Sequence, residues 1–188
     1  MTADAVPGQG AFGPLIDEFD RTVDATLERL RGNAAADRLF TTASHLGEFS
    51  LIWHLAGLTR GIATRRTDQA VVLSVLIGAE SLIVNQGVKR LFNRTRPTTS
   101  GDARLTVRAP ITSSFPSGHA SAAAFAATVL TGWDGRRLGA VWCALAGVVA
   151  VSRAYVRIHH ASDVVGGLAV GGALGVVGRR VAAQLVRG

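Results

Sequence analysis

Apolar and charged positions alternate with the period of an α-helix in residues 14–31. The apolar positions of this stretch are Leu15, Ile16, Phe19, Val23, Leu27 and Leu30. The pattern predicts an amphipathic helix that is too polar to span a bilayer, and that lies along the membrane interface or caps a helical bundle. The preceding residues, 1–13, contain Pro7 and three glycines and are predicted to be a flexible lead-in.

Five long apolar segments follow this helix. They cover residues 43–64, 70–91, 117–133, 138–158 and 164–185. None alternates with period two, so the predicted fold class is all-α. Spanning the hydrocarbon core of a bilayer takes about 20 mainly apolar residues, and the second, fourth and fifth segments approach that length.

A soluble helical bundle is the alternative interpretation of these segments. The fifth segment favours the membrane, because it has no polar face and carries Gly167, Gly171 and Gly175 at four-residue intervals. Small residues at that spacing allow helices to pack closely in lipid, within one chain or in a homo-oligomer. The sequence therefore predicts an integral membrane helical bundle with about five spanning helices plus the N-terminal amphipathic helix. Residues 1–35 would form the lead-in and interfacial helix, and residues 36–188 the membrane-embedded core.

Arginine pairs predict how the bundle is oriented. They stand at residues 65–66, 136–137 and 179–180, which fall at one end of the bundle if the helices alternate in direction. The excess of basic residues on cytoplasmic loops places that end inside the cell. We therefore expect a multi-pass protein of the cell membrane whose opposite end is extracytoplasmic.

Composition narrows the function classes. The net charge is +7, but the basic residues sit at the ends of apolar segments and form no stripe with aromatic residues, so nucleic acid is not an expected partner. An anionic membrane or an anionic substrate fits better. The single cysteine, Cys143, excludes disulfides and is expected to be a small buried hydrophobic residue. No secretory signal peptide is visible.

Three charged stretches meet at the end opposite the arginine pairs. In the first, Lys89 and Arg96 are seven residues apart and can face the same way over two helical turns. The second, Pro-Ser-Gly-His at residues 116–119, opens a helix whose free N–H groups favour an anion. The third runs from Ser152 to Asp163 and includes Arg153 and two histidines. His159 and Asp163 are four apart, which lets a carboxylate orient an imidazole.

Each stretch has an ordinary interpretation when taken alone: a basic flank for lipid headgroups, an N-cap, or a metal site with His119 as a third ligand. Lys89, Arg96 and Arg153 would repel a metal ion, however, and the excess of positive charge favours an anion. Together the stretches predict a site for phosphoryl transfer in which these cations take the place of Mg²⁺.

The three stretches, K-x6-R-P, P-S-G-H and S-R-x5-H-x3-D, resemble the signature motifs of the type 2 phosphatidic acid phosphatase superfamily, with no substitution at a defining position. The resemblance implies that His159 is the nucleophile, that Asp163 orients it, and that His119 is the general acid and base. It also implies a set of phosphate-binding residues: Lys89, Arg96, Ser117, Gly118 and Arg153. No metal and no cofactor are expected.

The expected function is therefore that of a membrane lipid phosphate or lipid pyrophosphate phosphatase, with an anionic lipid phosphate as substrate and membrane lipids as surroundings. A soluble acid phosphatase of the same superfamily, or a non-catalytic membrane protein that binds anionic lipid, are the alternatives. His160 is expected to be a bystander, and Arg90, Arg94 and Arg157 at most contact headgroups. His54 and Glu80 are expected at similar depth, where they could pair.

Overall fold

The computed structural model describes residues 6–98, 102–105, 107 and 112–186, and all regular structure within those ranges is helical. The α-helices are α1 (Pro14–Glu28), α2 (Ala34–Leu46), α3 (Leu51–Ala63), α4 (Thr67–Leu82), α5 (Gly118–Tyr155) and α6 (Ala161–Leu185). A π-turn at Ile83–Gly87 and a 3₁₀ turn at Val88–Leu91 extend α4. The predicted all-α class is confirmed.

Helix α5 reverses direction at Gly135, which has φ 74°. In a straight helix His119 and Val149 would be about 45 Å apart. Both instead lie beside Gly47, where a Cβ would be 2.7 Å from Cδ2 of His119 and 3.3 Å from Cγ1 of Val149. The two halves of α5 therefore form a hairpin, and they correspond to the third and fourth predicted segments.

The first predicted segment, residues 43–64, is not a continuous helix, so that prediction is wrong. Phe49 and Ser50 have φ values of 50° and 58° and separate α2 from α3. Left-handed backbone at two successive residues cannot continue a right-handed helix. The sequence has no proline here, and Gly47 is the only local signal of the break.

The glycine face of α6 packs inside the chain. A Cβ at Gly167 would lie 3.0 Å from Cβ of Ala120, and one at Gly175 would lie 2.7 Å from Cβ of Thr128. Helix α6 thus lies directly against the first half of α5. Because intrachain packing already uses this face, it does not supply a dimer interface, and oligomerisation stays a prediction.

Large apolar side chains cover the outside of the bundle, including Leu55, Val75, Val141, Val177 and Leu185. Among the residues that the structure describes, three helical stretches are long and apolar enough to cross a membrane: Thr67–Leu91, Gly118–Tyr155 and Ala161–Leu185. Water-soluble proteins rarely expose apolar surface of this extent, so the predicted membrane bundle is confirmed. Cys143 is exposed on this outer surface. The expectation that it is buried is wrong, because the lipid-facing side of the helix is as apolar as its core.

The arginine pairs do gather at one end, as contacts at or next to each pair show. Near the first and second pairs, Nε of Arg60 lies 2.6 Å from Asp134. From the first pair, Nη2 of Arg66 donates to the carbonyl of Val186, beyond the third pair, at 3.1 Å. Arg179 packs beside Gly132.

Helix α1 caps the opposite end. Its Leu27 is buried with Tyr155 and Ile158, and the following Arg31 donates from Nε to the carbonyl of Tyr155 at 2.8 Å. The lead-in also contacts the bundle, since the carbonyl of Gly8 accepts from Nε of Arg94 at 3.2 Å. A domain boundary near residue 35 stays a prediction, as does the position of α1 relative to the membrane.

Candidate active site

The three charged stretches converge at the end of the bundle under α1. Nη1 of Arg96 lies 3.0 Å from Nε2 of His159, and the N–H of Ser117 donates to the carbonyl of Asp163 at 2.9 Å. Lys89, Arg96, Arg153 and Asp163 are each at most 7% exposed. Burying so many charged groups is unfavourable unless they are paired or bind a ligand, so the cluster has the character of a functional site.

His159 sits in the short connection between α5 and α6, with Nδ1 3.6 Å from Oδ2 of Asp163. An arginine can only donate hydrogen bonds, so the contact with Arg96 requires a lone pair on Nε2 and puts the ring proton on Nδ1, facing Asp163. Burial lowers the pKa of His159 to about 3, which keeps the ring neutral at pH 7. A neutral imidazole with its lone pair on Nε2 is chemically able to act as a nucleophile.

Asp163 occupies the first turn of α6 and is held from three sides. Its Oδ2 accepts from Oγ of Ser114 at 2.5 Å and from the N–H of His160 at 2.9 Å. Its Oδ1 accepts from Nη1 of Arg94 at 2.6 Å. These donors fix the carboxylate in the orientation that faces His159.

Three side-chain atoms of the cluster lack hydrogen-bond partners within the part of the chain that the structure describes. Of the five buried side-chain nitrogen or oxygen atoms without a hydrogen-bond partner in the described ranges, three belong to the cluster: Nε2 of His119, Nε of Arg153 and Nδ1 of His159. Leaving such an atom unsatisfied costs about 1–3 kcal/mol. Arg153 is anchored at its other end, since Nη1 donates to Ser44, at 3.2 Å to the carbonyl and also to Oγ. The unpartnered atoms of His119 and Arg153 are therefore available to a polar ligand.

Arg96 is positioned by backbone carbonyl oxygens. Nη1 donates to Ile158 at 2.8 Å and Nε donates to Thr112 at 3.2 Å. Burial lowers the pKa of Arg96 to about 10, so the guanidinium stays charged at neutral pH.

The helix N-terminus that opens α5 is packed closely. A Cβ at Gly118 would lie 3.0 Å from Oδ1 of Asn85, which explains the glycine. The hydroxyl of Ser117 accepts from the N–H of Ala120 at 3.5 Å, so its own proton remains available to an anion.

A cavity of about 260 Å³ reaches His159 from the side of α1. Its lining includes charged and hydroxyl side chains, among them Asp20, Asp24, Thr98 and Arg157. A group larger than phosphate can therefore lie beside the nucleophile.

The expectation that Arg94 contacts headgroups is wrong. Its side chain is 1% exposed and bridges Asp20 and Asp163, at 2.7 Å and 2.6 Å. Arg157 is also engaged by carboxylates, at 2.9 Å from both Asp24 and Glu28. Arg90 remains exposed, and its Nη2 donates to Gln86 at 2.7 Å.

The pair that His54 and Glu80 could make at similar depth does not form. Nδ1 of His54 lies 2.9 Å from Oγ of Ser74, and Glu80 accepts from the hydroxyl of Ser121. Each of these two ionisable groups instead contacts a hydroxyl on a neighbouring helix.

Sequence reasoning missed Ser44, Ser114 and Asp20 as parts of the cluster. Ser44 and Ser114 carry no signal, because serine is common in helices and loops alike. Asp20 did carry one. It falls on the same face of α1 as Ile16, Val23 and Leu27, where a carboxylate needs a buried partner.

Residues 69–187, which contain all three motifs, match the PAP2 superfamily. The decaprenylphosphoryl-5-phosphoribose phosphatase of Mycobacterium tuberculosis is 33% identical over 136 residues, which cover 71% of this chain and 73% of that protein. The protein of the same name from Mycolicibacterium smegmatis is 33% identical over 127 residues, covering 66% and 67%.

Two solved structures share the fold. The transmembrane PAP2-type phosphatidylglycerolphosphate phosphatase of Bacillus subtilis has a TM-score of 0.71 at 20% identity, over 92% of this chain and 88% of that one. LpxE of Aquifex aeolicus has a TM-score of 0.68 at 24% identity, over 91% and 98%.

Proposed function

The chain belongs to the PAP2 superfamily and is a membrane phosphatase of that family, and from this premise we propose that it hydrolyses a lipid-linked phosphate through a phosphohistidine, without a metal ion. The observation that carries the proposal is the contact between Arg96 and Nε2 of His159, at 3.0 Å. It leaves the nucleophilic lone pair on the nitrogen that faces the buried cations.

In the first step Nε2 of His159 attacks phosphorus, a P–N bond forms, and the bond to the leaving oxygen breaks. His119 gives its proton to that oxygen. Asp163 stabilises the positive imidazolium from the Nδ1 side, where it lies 3.6 Å away. In the second step His119 takes a proton from water, the water oxygen attacks phosphorus, and the P–N bond breaks to release phosphate.

Arg96 has two partners in this cycle. It donates to Nε2 of His159 in the structure, and it would turn to a phosphoryl oxygen when Nε2 attacks. Lys89 and Arg153 would bind the other phosphoryl oxygens, with the hydroxyl of Ser117 and the N–H of Gly118. Arginine suits this role because its planar fork matches phosphate.

The metal-free part of the proposal is supported by charge. Lys89, Arg96 and Arg153 are buried around the position that phosphorus would occupy, where a divalent cation would be repelled. No group of three metal-ligating side chains occurs among the residues the structure describes. The same three cations can neutralise the phosphoryl oxygens in the transition state.

For the substrate we favour a lipid-linked sugar phosphate over phosphatidic acid. The relative in Mycobacterium tuberculosis is named for a decaprenylphosphoryl phosphoribose. The cavity beside His159 suits a sugar, since Asp24 and Thr98 can bind hydroxyl groups.

We propose that the lipid chain leaves this cavity through a groove of about 420 Å³ between α1 and α6. Apart from Ser162 its lining is apolar: Phe12, Ile16, Phe19, Phe115, Val165 and Gly166. We also propose that the protein crosses the membrane several times. Its site would lie at the extracytoplasmic end, opposite the arginine pairs.

The test is phosphate release from a panel of lipid phosphates in detergent, comparing the wild type with His159→Ala and His119→Ala. We expect both variants to lose turnover, an acid-labile and base-stable phosphoenzyme to accumulate in His119→Ala, and EDTA to have no effect. Loss of activity in EDTA with recovery in Mg²⁺ would contradict the mechanism, and so would full activity of His159→Ala. Faster release from phosphatidic acid than from a polyprenylphosphoryl sugar phosphate would contradict the substrate.

A further inference from the structure

A buried ion-pair relay connects α1 to the carboxylate behind the nucleophile. The guanidinium of Arg94 lies between two carboxylates, with Nη2 2.7 Å from Oδ2 of Asp20 and Nη1 2.6 Å from Oδ1 of Asp163. The side chains of all three residues are at most 5% exposed. Their charges are therefore little screened by solvent and influence one another strongly.

Asp20 is held in place by the helix that carries Asp163. Its Oδ1 accepts from the N–H of Ser162 at 2.7 Å, and its Oδ2 accepts from the hydroxyl of Ser162 at 2.8 Å. The hydroxyl of Ser162 in turn accepts from Arg94 at 2.7 Å. Asp20 thus fixes the residue that immediately precedes Asp163 as well as the arginine that binds it.

The charges of the relay determine what Asp163 can do for His159. If Arg94 had Asp163 as its only carboxylate, the pair would be neutral and would stabilise an imidazolium poorly. Asp20 neutralises Arg94, so the three groups together keep one negative charge. That charge faces Nδ1 of His159, where positive charge develops when Nε2 attacks phosphorus.

We propose that Asp20 is a positioning residue for phosphoryl transfer, which acts through Arg94 to orient Asp163 and preserve its charge. The inference rests on the proposed function. It assigns a role in the chemistry to α1, a helix that carries none of the signature motifs. Because Asp20 acts behind Asp163 and has no contact with Lys89, Arg96 or Arg153, its loss should affect kcat and spare KM.

The experiment measures kcat and KM in detergent micelles with the sugar-free lipid phosphomonoester that the wild type hydrolyses fastest in the panel, so that contacts of Asp20 in the headgroup cavity do not enter. If the wild type hydrolyses only sugar-bearing substrates, kcat alone is compared, on the fastest of them. Asp20→Asn keeps the size of the side chain and removes its charge. We expect kcat to fall about 10- to 100-fold, the range found when the hydrogen-bond partner of a metal-ligating side chain is removed, with KM changed by less than about twofold. Asp20→Glu restores the charge and should exceed Asp20→Asn in kcat.

Asp17→Asn is the matched control. Asp17 lies on the same helix, is buried, and accepts from the N–H of Gly10 at 2.9 Å without reaching the site. We expect its kinetics to match the wild type. Ser162→Ala is a milder variant that removes one hydroxyl from the relay, with an expected loss of about three- to tenfold in kcat. If Asp20→Asn does not fold, the kcat of Ser162→Ala tests the relay in its place.

The relay is refuted if Asp20→Asn retains full kcat, if Asp17→Asn loses as much, if Asp20→Glu is no better than Asp20→Asn, or if the loss is confined to KM. Unchanged kcat in Ser162→Ala, where that variant decides, also refutes it. These results leave the proposed function intact. If the wild type releases no more phosphate than His159→Ala from any lipid phosphate of the panel, the proposed function fails and the relay fails with it.

Discussion

Replacing Gly171 by alanine tests whether the close contact of α5 and α6 assembles the site. A Cβ at Gly171 would lie 2.6 Å from Cα of Ser121, a backbone atom that cannot move alone. Ordinary van der Waals contact needs about 3.5 Å, so the two helices must separate by about 1 Å. Gly172 is the matched control, because nothing lies within 4 Å of a Cβ built there.

The expected stabilities follow from two opposing effects. Alanine is more favourable than glycine within a helix by about 1 kcal/mol, and this applies at both positions. Overpacking costs about 1–3 kcal/mol and applies to Gly171 alone. We therefore expect Gly172→Ala to unfold at or above the wild-type temperature. Gly171→Ala should unfold about 2–12 °C below Gly172→Ala, since each kcal/mol shifts Tm by about 2–4 °C in a chain of this size.

Gly171→Ala should lose turnover even where it remains folded. Helix α5 carries His119 and α6 carries Asp163, and the two ends are joined by the bond from Ser117 N–H to the Asp163 carbonyl. A displacement of about 1 Å can reduce turnover up to 100-fold. Thermal unfolding in detergent and phosphate release are measured on both variants. Equal melting temperatures for Gly171→Ala and Gly172→Ala would refute the packing argument.

Two further predictions concern acid stability and the lipid groove. Burial lowers the pKa of His159 to about 3, below the value of 6.5 that it has when unfolded. Between these pH values the unfolded chain binds more protons than the folded one, so the free energy of unfolding should fall as pH falls, by up to about 1.4 kcal/mol per pH unit from this group. The Tm of His159→Ala should therefore fall less steeply than that of the wild type between pH 6.5 and 4. An unchanged slope would contradict the burial argument. Ile16→Trp should fill the groove between α1 and α6 and raise KM for long-chain lipid phosphates but not for short-chain ones; equal effects on both, measured by phosphate release, would exclude the groove as the path of the lipid chain.

The fold was largely predictable because hydrophobic length and helical period are local properties of the sequence. The hairpin of α5 follows from Asp134-Gly135 between two apolar segments. The break at Phe49 and Ser50 was not predictable, since neither residue type favours a left-handed backbone. The exposure of Cys143 was mispredicted for another reason: in lipid, apolar residues line both the inside and the outside of a bundle.

The residues of the candidate site could be named from their motifs, but the residues that hold them in place could not. Spacing places His159 and Asp163 within reach of each other because they are close in the chain. Ser44 and Ser114 reach the cluster from distant segments through tertiary contacts that no periodic pattern encodes. The periodic pattern of α1 marks Asp20 as buried but does not identify its partner. Arg94 was misjudged for the same reason, since only the folded chain brings Asp20 to it.

The charges buried around His159 favour a phosphomonoester over a phosphodiester. Four cations lie in the cluster, Lys89, Arg94, Arg96 and Arg153, and two carboxylates, Asp20 and Asp163, compensate two of them. Two positive charges therefore remain, and His119 adds a third when it is protonated as the general acid. A dianionic phosphomonoester compensates more of this charge than a phosphodiester, which carries one negative charge. Since an uncompensated buried charge is strongly unfavourable, the cluster itself selects a terminal phosphate over a diester linkage. A substrate that carries both, such as a lipid-linked sugar phosphate, would therefore be cleaved at its terminal phosphate.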